Sequence, residues 1–242
     1  MRFTDILKGN FDMGLFDRFK KKENVENVGP TWVYTEEELD IIENHISQHF
    51  GSFDSVFHEI YSPDIHLDVV RINPTPELPH YTFITMGAGA YRMNLPEGVS
   101  LPSRAEYLIT LPPDWDVENM DDNRNYWPLG FLKTIARIPI KFDTFLAYGH
   151  TASSDADNSS FADNTKLCSI ALAYPEQFDV DCLTVNFPSG GGIVFYQMVP
   201  LYADELVFKQ ECEGGMKEFE SYLGKVIANP LDINRPSCVP QK

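Results

Sequence analysis

A chain of 242 residues with 43% hydrophobic and 13% aromatic side chains is long enough to bury a sizeable core and too hydrophobic for intrinsic disorder. Nineteen Lys and Arg against 36 Asp and Glu give a net charge of −17, which repels phosphate backbones, excludes a general nucleic-acid binder and favours a basic partner. The charge is uneven: residues 1–22 carry six basic and three acidic side chains, a net of +3, so the rest of the chain carries −20.

Residues 1–30 read as a basic leader and linker. Within it Met13 offers a second start, and Leu15, Phe16 and Phe19 beside Arg18, Lys20, Lys21 and Lys22 are a weak membrane-surface signal. No run of about 18 apolar residues exists, so stable membrane insertion is not expected. The absence of a signal-peptide core points to a reduced, cytoplasmic protein.

Gly29-Pro30 breaks the linker. Thr35 then reads as an N-cap with Glu38 closing a capping box, and Leu39, Ile42, Ile46 and Phe50 form one apolar stripe of a helix ended by Gly51. From Val56 the period changes. Ile65–Ile72 alternates as a strand, Pro74, Pro76 and Pro79 close it, and Tyr81–Met86 and Glu106–Leu111 are further strands. Leu129–Ile138 looks helical and is expected to stop before Pro139. Thr144–Tyr148 reads as a short strand and 151–165 as a polar loop. Leu167–Ala173, Leu183–Phe187 and Ile193–Val199 are strands, the last two joined through Pro188-Ser189-Gly190-Gly191-Gly192. Helices follow around Asp204–Lys209 and over Met216, Phe219, Leu223 and Val226. Several strands follow one another without helices between them. The fold class is therefore α+β, a central mixed and mostly antiparallel sheet packed by helices, over residues 31–228, with 229–242 as a C-terminal tail.

The motifs of common catalysts are missing. There is no phosphate loop, no G-x-S-x-G elbow and no H-E-x-x-H. Gly87-Ala88-Gly89-Ala90 reads as a turn rather than a dinucleotide site, because no helix follows it. His45 and His49 have zinc-ligand spacing, with His58 as a third candidate, but exposed helix-edge histidines are the simpler reading. Asp155, Asp157, Ser159 and Asp163 alternate like a calcium loop, yet Ser160 stands at the turn glycine and Lys166 at the closing Glu. Cys168, Cys182, Cys212 and Cys238 lie 14, 30 and 26 residues apart, without a C-x-x-C pair, and Cys168 and Cys182 read as small buried hydrophobes. No metal or cofactor is implied.

One ordered succession is more specific. It runs through His66-Leu67-Asp68-Val69, Pro74-Thr75-Pro76, Tyr81–Gly87 with Met93, Glu106–Pro112 with Trp115, Tyr126-Trp127-Pro128, Leu132-Lys133, Gly149-His150-Thr151, Pro200-Leu201-Tyr202 and Glu205-Leu206. In this order and spacing, over residues 35–228, the chain resembles the Suppressor of fused domain family in its bacterial single-domain form. The resemblance implies a non-catalytic protein-binding domain. The animal member holds Gli transcription factors as an extended peptide, whereas bacterial members look like immunity proteins or antitoxins that neutralise a toxin by binding it. The chain is too short for the second domain with which the animal protein closes on its ligand. Partner-binding candidates on these positions are Asp68, Tyr81, Tyr126, Trp127, His150 and Glu205: aromatic anchors and acidic contacts to a peptide laid on a sheet edge. A general interaction adaptor without a toxin partner is the alternative, and a hydrolase would need His66 or His150 gathered with a carboxylate.

Overall fold

The computed structural model describes residues 31–53, 55–59, 62 and 64–240; the leader and its membrane-surface motif lie outside the described residues. Helix α1 spans Glu36–His49 and starts as its capping box predicts, with Thr35 Oγ1 accepting from Glu38 N–H and Glu38 Oε2 accepting from Thr35 N–H. Ile42 and Ile46 are buried, as is the C-cap Phe50, while Glu36, Glu37, Asp40 and Glu43 face outward.

Strands β1 (Ser55–Phe57), β2 (Asp68–Ile72), β3 (Tyr81–Met86), β4 (Ala105–Leu111), β5 (Thr151–Ser153), β6 (Ser169–Ala173), β7 (Thr184–Asn186) and β8 (Gly192–Leu201) form one sheet. Its order is β1-β2-β3-β4-β8-β6-β5, with β7 also on β8. The pairing is antiparallel throughout except between β4 and β8. Helix α2 (Asn123–Phe142) covers one face, burying Val69, Phe83, Tyr107, Tyr196 and Met198. On the other face α1 covers Val70, Ile84, Leu108 and Phe195. Helix α4 (Met216–Leu223), which follows α3 (Ala203–Glu211), covers Ala171, Val199 and Leu201 on that same side. Burial on both faces explains why β3 and β4 read as continuous apolar runs rather than alternating ones.

Three local expectations change. Helix α2 continues through Pro139 to Phe142, and it also contains Pro128. Proline removes its own N–H and crowds the carbonyl one turn earlier, but flanking hydrogen bonds and the burial of 11 of the helix's 20 residues outweigh that loss. The helix ends instead at Asp143, in a left-handed conformation at φ 48°. The segment 144–148 is no strand: its Phe145, Leu146 and Ala147 plug the core, and His150 N–H turns back to Ala147 C=O. Pairing begins only at Thr151, inside the stretch read as loop. The segment after 228 is packed rather than trailing. Strands β4 and β8 are in register only from Ala105↔Val194 to Leu108↔Gln197, then part. Into that wedge run residues 227–235. Leu231 N–H donates to Thr110 C=O at 2.9 Å, Gln197 Nε2 donates to Ile227 C=O at 3.0 Å, and Arg235 Nη2 donates to Pro200 C=O at 2.9 Å.

Two buried carboxylates anchor this arrangement. Glu205, fully buried at the start of α3, binds both terminal nitrogens of Arg235 at 2.6 and 2.7 Å and also accepts from Tyr202 and Cys238 N–H. Burial pushes its pKa upward, but the Arg235 bonds outweigh that and hold it below the ordinary 4.5. Glu106, in β4, is likewise fully buried. It accepts from the hydroxyls of Tyr34 and Thr85 and from the N–H groups of Gly87, Ala88 and Gly89. Burial drives its pKa up further than the bonds from Thr85, Tyr34, Gly87 and Gly89 pull it down. The turn they cradle requires glycine: Gly87 sits at φ 131°, where a Cβ would lie 1.9 Å from His66 C=O, and a Cβ on Gly89 would lie 2.4 Å from the Tyr34 hydroxyl oxygen.

Replacing Arg235 with Ala leaves Glu205 buried and unpaired, and is expected to cost about 3–5 kcal/mol in urea unfolding. Because the pKa of Glu205 is depressed in the fold, its stabilising contribution is complete above about pH 4.5 and is lost as pH falls through the folded value. The Arg235→Ala chain should therefore lose that acid sensitivity. Glu106→Ala strands three backbone donors and is expected to destabilise by at least about 3 kcal/mol. Gly87→Ala should be comparably damaging, because clash and φ strain act together.

Candidate functional site

The inserted C-terminal segment forms one wall of an acidic groove. The other walls are the loop after β4, the loop before β6 and the first turn of α3. The groove has two connected parts. One, of about 450 Å³, is lined by Asp114, Trp115, Asp116, Asn125 and Asp232. The other, of about 780 Å³, is lined by Asp163, Lys166, Tyr202 and Asp204, and the two share Asn164, Ile233 and Asn234. Asp114, Asp116, Asp163, Asp204 and Asp232 are all exposed, against one exposed cation in the lining, Lys166. Low-dielectric walls around charges of one sign focus the field, so this surface attracts cations.

Local bonds fix the walls. Trp115 Nε1 donates to Asn125 C=O at 3.1 Å, holding the indole at the rim over the start of α2. Asn123 Nδ2 donates to Phe161 C=O at 2.9 Å and ties α2 to the Asp163 loop. Tyr202 donates its hydroxyl to Arg235 C=O at 2.6 Å while the Arg235 guanidinium lies 5.0 Å above its ring. Thr165 Oγ1 donates to Ile233 C=O at 3.2 Å. Asp204 accepts from Ser237 Oγ at 2.7 Å, leaving its other oxygen on the N–H of Glu205.

The six residues singled out from sequence do not converge. Glu205 lies beneath the groove and is consumed by Arg235, so it positions the wall instead of touching the outside. Trp127 is buried and stacks on Phe161 at 4.7 Å, supporting the Asp163 loop from below. Tyr126 is half-buried near that end of α2, with burial and Glu59 raising its pKa. Tyr81 begins β3 opposite Leu111 and packs half-buried on the α2-side core. His150 lies before β5, its ring 4.9 Å from Phe145, and burial together with nearby Lys209 lowers its pKa to about 4. Asp68 is buried at the β1–β2 end of the sheet, where His58 and His66 meet it. Sequence reading placed none of the five groove aspartates in a partner site and weighed Asp163 only as part of a calcium-like alternation. Their signal was Asp114-Trp115-Asp116, an aromatic between two acids; the other three are scattered along the chain and only folding assembles them.

Other candidate sites resolve differently. His45 is buried, not at an exposed helix edge: its Nε2 donates to Cys182 C=O at 3.0 Å and its ring stacks on Phe195 at 5.2 Å. Burial lowers its pKa below 6.5. His49 pairs with Asp179 at 3.0 Å, and His58 is at another part of the sheet. Asp155 accepts from Asp157 and Ser159 N–H as a turn former, while Asp163 faces the groove. Cys168 and Cys182 are buried free thiols, and burial pushes Cys182 up to about 12.

Solved structures share this architecture. A putative SUFU homolog from Neisseria gonorrhoeae aligns at 16% identity, covering 84% of this chain and 98% of that one, with a TM-score of 0.57. A chain of the Sufu–Fu complex aligns at 17% identity over 83% and 91% of the two chains, also with a TM-score of 0.57. Drosophila Suppressor of Fused aligns at 18% identity and a TM-score of 0.51; 84% of this chain corresponds to 51% of that protein. No curated protein matches the chain. At these identities the likeness shows the fold, and the family follows from the sequence model for Suppressor of fused protein, which matches residues 63–236. That match includes most of the inserted C-terminal segment and the groove it lines, and the chain belongs to the Suppressor of fused (SUFU) family.

Proposed function

We propose that this chain is a non-catalytic protein-binding module whose acidic groove receives a basic segment of another protein, and that it acts as a bacterial immunity protein or antitoxin. The observation that carries the reading is the groove itself: five exposed aspartates converge on a cleft with an aromatic rim. Lys and Arg side chains entering such a cleft gain charge-assisted hydrogen bonds and a cation–π contact with Trp115. The outer face of α1, with Glu36, Glu37, Asp40 and Glu43, extends the negative field and speeds encounter with a basic partner. Neutralisation then works by occlusion, the acidic face covering the toxin's basic substrate surface, with no cofactor required. A nuclease is the first toxin class to test, because its substrate-binding surface is basic.

The family resemblance supports protein binding in general, as does the presence of a similar chain in the Sufu–Fu complex. Four free cysteines suit the reducing cytoplasm in which such a protein works. Among the described residues no helix is long and apolar enough to cross a membrane.

Co-purification with the product of the neighbouring gene, together with protection of cells that express it, tests the reading. The complex should weaken as salt rises. The triple variant Asp114→Asn, Asp116→Asn, Asp232→Asn should bind roughly tenfold more weakly, chiefly through slower association. Binding that is untouched by salt and by these three changes would move the interface away from the groove.

A further inference from the structure

We propose that His58, His66 and Asp68 form a binding site for a divalent transition-metal ion of the zinc class. The inference is independent of the groove, which is built from other residues. It begins with the strand register. Phe57 pairs with Val69 in the β1–β2 ladder, so His58, the next residue, comes opposite Asp68. His66 lies two residues before Asp68 on extended chain, where side chains at i and i+2 share a face and Leu67 between them points into the core. The backbone of His66 is itself held, its N–H donating to Trp32 C=O and its own C=O packed against Gly87.

The resulting cluster has the spacing of a coordination shell. Asp68 Oδ2 lies 3.1 Å from His58 Nδ1 and 3.5 Å from His66 Nε2, and all three candidate ligand atoms fall within 4.8 Å of one another. Tetrahedral zinc with bonds of about 2.0–2.1 Å places its ligand atoms about 3.3 Å apart. Two histidines and one carboxylate also match the donor preference of this ion, and they leave a fourth position for water or an outside donor.

A second observation separates the cluster from a chance grouping. Asp68 is 94% buried and its Oδ1 has no hydrogen-bond partner among the described residues, although buried carboxylate oxygens are ordinarily satisfied. The hydrogen bond from His58 and the 3.5 Å contact of His66 both fall on Oδ2. A cation at the centre of the three groups compensates the buried carboxylate as a whole. Both histidines remain reachable from solvent, with side chains 71% and 49% exposed, so the ion has a path in.

The test uses the full chain without a histidine tag. Titration calorimetry with zinc chloride should show one equivalent bound, cobalt(II) should give the visible spectrum of a tetrahedral centre, and magnesium and calcium should give no heat. Zinc should raise the melting temperature, because the assembled site exists only in the folded state. His58→Gln and His66→Gln should each weaken zinc at least about tenfold and abolish the shift, since loss of a mere supporting partner already costs that much. These two residues are exposed and their replacement leaves the core intact, so the test stands even if Asp68→Asn folds poorly. His49→Gln should bind as the parent does. The proposal is overturned if zinc produces no stoichiometric heat, if the His58 and His66 variants bind like the parent, or if only His49→Gln loses binding.

Discussion

The separation of β4 from β8 is the constraint around which this fold is organised. These two strands form the one parallel pair in the described sheet, and they stay together for four registered residues before diverging. Diverging strands expose backbone groups that must find partners. The C-terminal segment supplies them, bonding to Thr110 on one strand and Pro200 on the other, and the Glu205–Arg235 ion pair fixes it there. The pair is buried, so its net worth lies less in attraction than in geometry: Arg235 has one place to go, and the segment carrying it is held in one path. The acidic groove is a direct consequence, because Asp232 and Ile233 belong to that segment and Asp204 precedes Glu205.

Glu106 does a comparable job at the opposite end of β4. Its carboxylate gathers three consecutive backbone donors and two hydroxyls, one from Tyr34 ahead of α1. Arg104, two residues earlier, bonds Gly89 C=O and Glu38 of α1. Through these links the entry to α1 is tied to the middle of the sheet, and the Gly87–Gly89 turn presses against His66. The same contact that forbids a side chain at Gly87 therefore holds the backbone on which His66 and Asp68 stand. Two carboxylates without access to solvent thus support the two surfaces with functional promise: Glu205 the groove, and Glu106 the histidine cluster.

The positions most visible in the family pattern are mostly internal. Trp127 and Glu205 are supports, and Asp68 is a buried carboxylate facing two exposed histidines. The exposed acids of the groove are short side chains in loops, where no periodicity marks them. Fold-defining residues leave regular spacing because they pack in regular elements; interface residues need only share a surface.

From sequence alone came the capping box of α1, the principal strands, the mixed sheet with its helices, the acidity of the body and the family. Each rests on local chemistry or on a pattern repeated along the chain. Tertiary structure decided that α2 runs through Pro139, because burial along the helix outweighs one missing N–H. It decided that residues after 228 fill the gap between β4 and β8, because a wedge between two strands far apart in sequence leaves no mark in the segment that fills it. It brought Asp114, Asp163, Asp204 and Asp232 to one cleft, and His58 opposite Asp68 by register. Those meetings depend on which strands pair and where they part, a property of the assembled sheet that no single stretch of the chain encodes.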